Sequence, residues 1–273
     1  MPLAKLYDLI RYLEYGTKLH IGVSFFGNVG GEAFKLPHGH TIHDSAVCWR
    51  FKKDERGARR CFCCRQAAIR KAQIEKKPFG GYCINGIYEY THPVIIDGKC
   101  AAIIYVGNIL LPQSDHRRLL SALGKDTALT DTMEKGFNEE ECRRLTLLIE
   151  GYILELLRQA PSTREKSTSA LIENVKNYLR SNLEYNVSLS NAARVFHYNA
   201  QYLGRRFKKE TGMTFSAFLN NERLEKAARD LKDGQKILDI SSGRGFNNVT
   251  YFNRLFKQRF GCSPTEYLEK KGK

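Results

Sequence analysis

Five cysteines, Cys48, Cys61, Cys63, Cys64 and Cys83, crowd into 36 residues of a chain that holds eight in all. Cys61 and Cys64 form a Cys-x-x-Cys pair, and thiolates from Cys48 and Cys83 would complete a tetrahedral site suited to zinc or an iron–sulfur cluster. A zinc ribbon carries two such knuckles, and this sequence carries one. Flanking charge from Arg59, Arg60 and Arg65 would instead lower a thiol pKa and make a redox-sensing pair. Plain buried cysteine is the simplest reading and the favoured one. Trp49, Tyr82, Tyr88, Tyr90 and His92 offer aromatic walls with polar tips, a composition that suits a small-molecule pocket and equally suits a core. No nucleophile elbow, phosphate-binding glycine loop or His-Glu metal motif is present, so catalysis is not expected.

A second chemistry lies near the other end. Shifting the sequence by 49 places Tyr202 on Tyr251, Leu203 on Phe252, Arg205 on Arg254, Phe207 on Phe256, Lys208 on Lys257 and Gly212 on Gly261. Each copy reads as helix, tight turn, helix. In the first, Leu189, Ala192, Ala193 and Val195 make a short helix, residues 197–199 the turn, and Asn199 caps a second helix over 200–210. In the second, Ile237, Ile240 and Ser241 begin the helix, Gly245 sits in the turn, and Asn247 or Asn248 caps residues 249–259. Small residues at Ala193 and Ser241 allow the close helix approach of a helix-turn-helix. Leu203 and Phe207, and Phe252 and Phe256, bury one face. Gln201, Gly204, Arg205 and Lys208 are then expected on the opposite face of one copy, and Thr250, Asn253 and Arg254 on that of the other. Arginine can bond guanine bidentately, asparagine and glutamine can bond adenine, and lysine holds phosphate.

The elements that must position these groups follow from periodicity. Leu6, Leu9, Ile10 and Leu13 predict a helix over 3–15. Residues 20–34 read as two strands around a glycine-rich turn with Asn28, Gly30 and Gly31. A helix starts near Arg60. Asp97-Gly98 between two β-branched runs predicts a hairpin. An α+β domain over 1–135 fits this order. Asn138 and Glu141 form a capping pair for a helix over 136–159, in which Cys142, Leu145, Ile149, Tyr152 and Leu156 keep the spacing of a two-helix seam. That seam suits either a dimer or packing on its own domain. Ala160-Pro161 stops the pattern, and 160–169 reads as linker before an all-α domain over 170–273.

The chain of 273 residues suits two domains, and its formal charge of +15 argues for a polyanionic partner. From Arg164 onward there are 21 Lys/Arg against 11 Asp/Glu, so nucleic acid should dock on the last third. No apolar run is long enough to span a bilayer and no secretory core is evident, which predicts a cytoplasmic protein with no membrane partner, its cysteines reduced, metal-bound or redox-active.

YLGRRFKKETGMTFSAFLNNERLEKA and GRGFNNVTYFNRLFKQRFGCSPTEYL resemble the DNA-binding domain of AraC/XylS transcription regulators over about 168–270. The resemblance implies two recognition helices entering successive major grooves, joined by a central helix near 214–231. Carried over by position, Gln201, Gly204, Arg205, Val249, Thr250, Asn253 and Arg254 would face bases. His197 and Ser241 depart from the usual glycine and alanine. The stretch from Val47 to Leu110 carries a resemblance, over roughly 5–112, to the sensory domain of PocR-type regulators, which implies a PAS-like fold with a pocket for a small organic effector. Asn85 and Asn108 stand where that domain usually has histidine and glutamine. The expected function is a sequence-specific, effector-responsive transcription regulator, with double-stranded DNA, a small molecule, RNA polymerase and a second copy of the chain as partners. Two alternatives are a metal- or redox-sensing regulator using Cys48, Cys61, Cys64 and Cys83, and a methyl-accepting DNA-repair protein, although the cysteine spacing does not match the latter.

Overall fold

A computed structural model of the chain describes residues 4–26, 29, 31–41, 45–52, 55–111, 116–159, 164–185, 187–196, 198–232, 240, 245–246 and 248–269. The first part is built on a four-stranded antiparallel sheet of β1 (His20–Phe25), β2 (Phe79–Tyr82), β3 (Tyr88–Ile96) and β4 (Lys99–Ile109), in the order β1-β4-β3-β2. The expected hairpin forms. Asp97 and Gly98 both take positive φ, 49° and 70°, the left-handed pair whose twist matches that of the flanking strands.

Side chains along β4 alternate between two buried faces. Ala102, Ile104 and Val106 face α1 (Leu6–Glu14) and α5 (Glu139–Gln159), whereas Ile103 and Tyr105 face α3 (Glu55–Glu75). Two shorter helices, α2 (Ala46–Phe51) and α4 (His116–Leu123), complete the order, and the helix read from Arg60 starts earlier, at Glu55. One expectation fails. Of the two strands read in residues 20–34, β1 forms, and among the described residues of the second, Glu32–Phe34 is a 3-10 turn that buries Phe34 against Phe25. Gly31 at φ 120° turns the backbone away from the sheet. Asn28 and Gly30 lie outside the described residues.

At the start of α5, Asn138 N–H donates to Glu141 Oε2 at 2.7 Å and Glu141 N–H donates to Asn138 Oδ1 at 3.0 Å, the reciprocal cap that the sequence predicts. Cys142, Ile149 and Leu156 are buried on the sheet with Leu145 and Tyr152 packed beside them. The seam read as a possible dimer surface is thus occupied within its own domain.

Helix α6 (Arg164–Arg180) begins inside the stretch read as linker, so only 160–163, outside the described residues, separate it from α5. Then come α7 (Leu189–Val195), α8 (Ala200–Thr211), α9 (Phe215–Lys232), α10 (Val249–Phe260) and α11 (Pro264–Glu269). Of the helix expected before α10, Ile240 is helical and buried; Ile237, Ser241 and Asn247 lie outside the described residues, as does His197.

The sensor half and the first helix-turn-helix unit share one apolar core, in which Phe26, Ile69 and Ile103 meet Leu171, Val175 and Phe196. Polar ties cross the same boundary. Asn174 Nδ2 donates to Val29 O at 2.6 Å and Gln73 Nε2 to Val195 O at 2.9 Å; Thr41 and Ser181 hydroxyls meet at 2.7 Å. The second unit keeps a separate core of Leu224, Ala227, Leu231, Phe246, Phe252 and Phe256. Among the described residues no helix is long and apolar enough to cross a membrane.

Candidate nucleic-acid interface

The two candidate reading helices are built alike from end to end. Asn199 Oδ1 accepts from the N–H groups of Gln201 and Tyr202 at 2.8 and 3.3 Å, and Asn248 Oδ1 accepts from Thr250 and Tyr251 at 2.7 and 3.2 Å. Each cap satisfies backbone donors that the first helical turn leaves open. At the far ends Gly212 and Gly261 take φ of 74° and 76° and close α8 and α10 with a left-handed residue. Leu203 and Phe207 in one helix, and Phe252 and Phe256 in the other, are fully buried.

With those faces buried, the opposite faces are open. Gln201, Arg205 and Lys208 are exposed on α8, and Thr250, Asn253 and Arg254 on α10; Val249 is half-buried at the helix start. Gly204 sits elsewhere than expected. A Cβ there would lie 2.9 Å from Leu189 Cδ2, so this glycine lets α7 approach α8 and presents nothing outward. Arg206 is engaged by Glu210 at 2.9 Å and by the Tyr202 hydroxyl at 2.7 Å. Arg254 lies over the Tyr251 ring, 5.3 Å from its centroid, and the Tyr251 hydroxyl accepts from Asn220 Nδ2 at 3.2 Å.

Helix α9 fixes the two units to one another. The buried Arg223 donates to Leu183 O and Tyr185 O, each at 2.8 Å, and stands 5.8 Å from the Phe246 ring of the second unit. Gly245, at φ 74°, is required there, because a Cβ would meet the Arg223 guanidinium at 2.6 Å and Leu183 O at 2.9 Å. Burial lowers the Arg223 pKa to about 10. Ion pairs Arg180–Glu222 and Lys226–Glu184 join α9 to the first unit, and Arg259–Glu225 joins it to the second. Arg223 escaped the sequence reading because its partners are backbone carbonyls some 40 residues away and a ring in the other unit.

In the sensor, the five aromatic candidates do not converge. Trp49 lies apart and exposed, the exposed Tyr82 packs edge-on against Tyr88 with ring centroids 5.4 Å apart, and Tyr88, Tyr90 and His92 are buried beneath α5. The Tyr88 hydroxyl donates to Glu139 at 2.9 Å, and His92 spans Glu150 and Thr146 at 3.0 Å each. These are interactions that dock a helix on a sheet. Among the described residues no three of Cys48, Cys61, Cys64 and Cys83 bring their sulfurs within 4.8 Å of one another, although Cys48 lies close enough to both Cys61 and Cys83 to influence their ionisation. Burial pushes the Cys61 thiol up to about 11, outweighing Lys52 and Arg65, and the Cys83 thiol up to about 12. Glu14, His20 and His40 do gather within 4.8 Å. Glu14 accepts from Ile21 N–H at 2.7 Å and the His40 ring meets Ile21 O at 2.9 Å, which ties the cluster to the β1 backbone.

A roomy cavity lies elsewhere. About 910 Å³ opens between the β1 edge, α3, the end of α5 and α6, walled by Phe25, Phe34, Ile69, Leu156 and Phe196, with Arg65 among the polar groups. In the sequence Arg65 stands out only as a neighbour of Cys61 and Cys64. Its guanidinium turns the other way, to Ser24 Oγ and Thr41 O. A pocket made where two domains meet leaves no local pattern in either.

Comparison with known proteins agrees with both halves. A helix-turn-helix domain model matches residues 192–270, and the model of the sensory domain found in PocR matches residues 35–178, reaching through α5 into α6. The HTH-type transcriptional activator RhaR of Pectobacterium atrosepticum is 28% identical over 210 residues, 67% of this chain and 71% of its own. The transposon Tn10 TetD protein of Escherichia coli is 33% identical over 104 residues, 38% of this chain and 75% of its own. The uncharacterized HTH-type transcriptional regulator YfiF of Bacillus subtilis is 37% identical over 99 residues, 36% of this chain, which spans only 31% of YfiF's length. The chain belongs to the AraC-type family of helix-turn-helix transcriptional regulators, joined here to the sensory domain found in PocR.

Proposed function

We propose that the chain is a sequence-specific, effector-responsive transcription regulator that reads double-stranded DNA with α8 and α10 from a single monomer. The observation that carries this reading is the matched pair itself. Two capped helices, 49 residues apart in sequence, expose polar and basic faces while α9 holds them at a fixed separation. Gln201, Arg205, Thr250, Asn253 and Arg254 are the base-facing candidates, with Val249 against a thymine methyl and Lys208 on phosphate. Gly204 contributes close helix packing in this reading. The excess of basic residues from Arg164 onward supplies the sequence-independent attraction.

The sensor half is read as PAS-like and as the seat of effector control, and the protein as cytoplasmic and without catalytic activity. RNA polymerase and a second copy of the chain remain partners in the proposal; α5's buried seam is not the surface for the latter.

Selecting binding sites from random duplexes with the full chain tests the reading. A consensus with two short half-sites centred about one helical turn apart is expected. Enrichment of a single short motif, or of none, would contradict it.

A further inference from the structure

The geometry points to the cavity between the sensor sheet and α6 as the effector site, and to a small organic carboxylate with an apolar body as its ligand. This rests on the effector-responsive reading above and adds where the ligand sits and what it must carry. The volume, about 910 Å³, is that of a small-molecule pocket.

The charge follows from what pairs with what around the wall. Arg180 is paired with Glu222, Lys35 with Glu32, and Glu173 with Lys176. Arg65 differs. Among the described residues it meets only neutral partners, the Ser24 hydroxyl at 3.1 Å, the Thr41 carbonyl and the Tyr105 ring, and its buried Nε has no hydrogen-bond partner. A half-buried guanidinium without a counter-charge is costly, and an anion in the cavity relieves that cost. Phe25, Phe34, Ile69, Leu156 and Phe196 supply the apolar wall for the rest of the ligand.

The same cavity explains how occupancy reaches the DNA-reading half. Val23–Phe26, Arg65 and Ile69 come from the sensor, and Asn174, Asn177, Arg180 and Phe196 from the DNA-reading half, whose α6 packs directly against α8. Thr41 joins the two, with its carbonyl on Arg65 and its hydroxyl on Ser181. A ligand bound here touches both domains at once, and sets how the first reading unit is held against the sensor.

Isothermal titration of the full chain, without DNA, with benzoate and octanoate against benzamide and octan-1-ol tests this. At least one carboxylate should bind about 10-fold or more tightly than its neutral analogue. Arg65→Gln should abolish that preference and Arg65→Lys should keep part of it, each melting as one cooperative unit. Asn177→Phe, at an exposed position on the α6 wall, should weaken binding about 10-fold with Arg65 intact. Equal binding of charged and neutral analogues, undiminished binding by Arg65→Gln or Asn177→Phe, or no carboxylate bound at millimolar concentration would overturn the assignment. Because no DNA is present, such a failure leaves α8 and α10 as readers untouched.

Discussion

The two helix-turn-helix units are near copies in their reading helices and unlike in their surroundings. Both use an asparagine cap, a left-handed glycine stop and a buried pair four residues apart. Yet Phe207 belongs to a core that runs on into Ile69, Ile103 and Tyr105 of the sensor, whereas Phe256 belongs to a core confined to the C-terminal unit. Duplication supplies two equivalent ways to touch DNA, and the packing around each decides which is coupled to the sensor. On this account the first unit carries the signal and the second anchors the complex.

The sharpest way to break that contrast is to hollow each core in turn. Phe207→Ala and Phe256→Ala should each cost about 3–5 kcal/mol locally. Hydrogen exchange should show Phe207→Ala loosening β4 and α3 along with α8, and Phe256→Ala loosening α9 to α11 alone. A sensor disturbed equally by both would erase the distinction.

Next in size is the brace between the units. Arg223→Ala leaves the Leu183 and Tyr185 carbonyls without their charged donor, at a cost of about 1.5–3 kcal/mol. Affinity for a two-half-site duplex should fall further than affinity for a single half-site, as gel-shift titration would show. Parallel losses would mean that Arg223 only stabilises the fold.

Arg205→Ala and Arg254→Ala compare the readers directly. Each should cost about 1–3 kcal/mol of binding and relax preference at one base pair in its own half-site, read by repeating the site selection. Relaxed preference at a shared position would contradict two separate readers.

The smallest effect concerns the sensor's thiols and is nil at neutrality. Burial holds Cys61 at about 11 and Cys83, Cys100 and Cys142 at about 12, above the ordinary thiol value of 9.0. The unfolded chain therefore loses these protons first, and folded-state stability is complete below pH 9 and drains away as pH rises from there towards 11–12. Thermal melts across pH 8–10 should fall, and replacing Cys83 by alanine should flatten part of that fall. A stability that rises with pH in this range would show the thiols to be ionised in the fold.

Much of this was legible from residue order because it is local. A period of 49, an asparagine before each helix and a glycine after it, an Asp-Gly between β-branched runs and an Asn/Glu pair at α5 all act over a few residues. The failures share a different character. Residues 27–34 carry strand-like composition, yet the described backbone turns off at Gly31, and nothing nearby announces that turn. Trp49, Tyr82 and His92 are the right types for a pocket, yet which side of the sheet each occupies is set by distant packing. Gly204 shares its helix with outward-facing positions and is claimed by Leu189 across a helix pair. Arg65 and Arg223 gain their roles from carbonyls and cavities assembled by remote segments.

Hydroxyl-radical footprinting of the full chain on a selected site, with a companion duplex carrying 5 extra base pairs between the half-sites, tests the central claim most directly. One monomer should protect two successive major-groove faces about one turn apart on one side of the duplex, and the insertion should reduce protection to a single half-site. Protection of both half-sites regardless of the insertion, or of one groove alone on the original site, would contradict a rigid pair of readers.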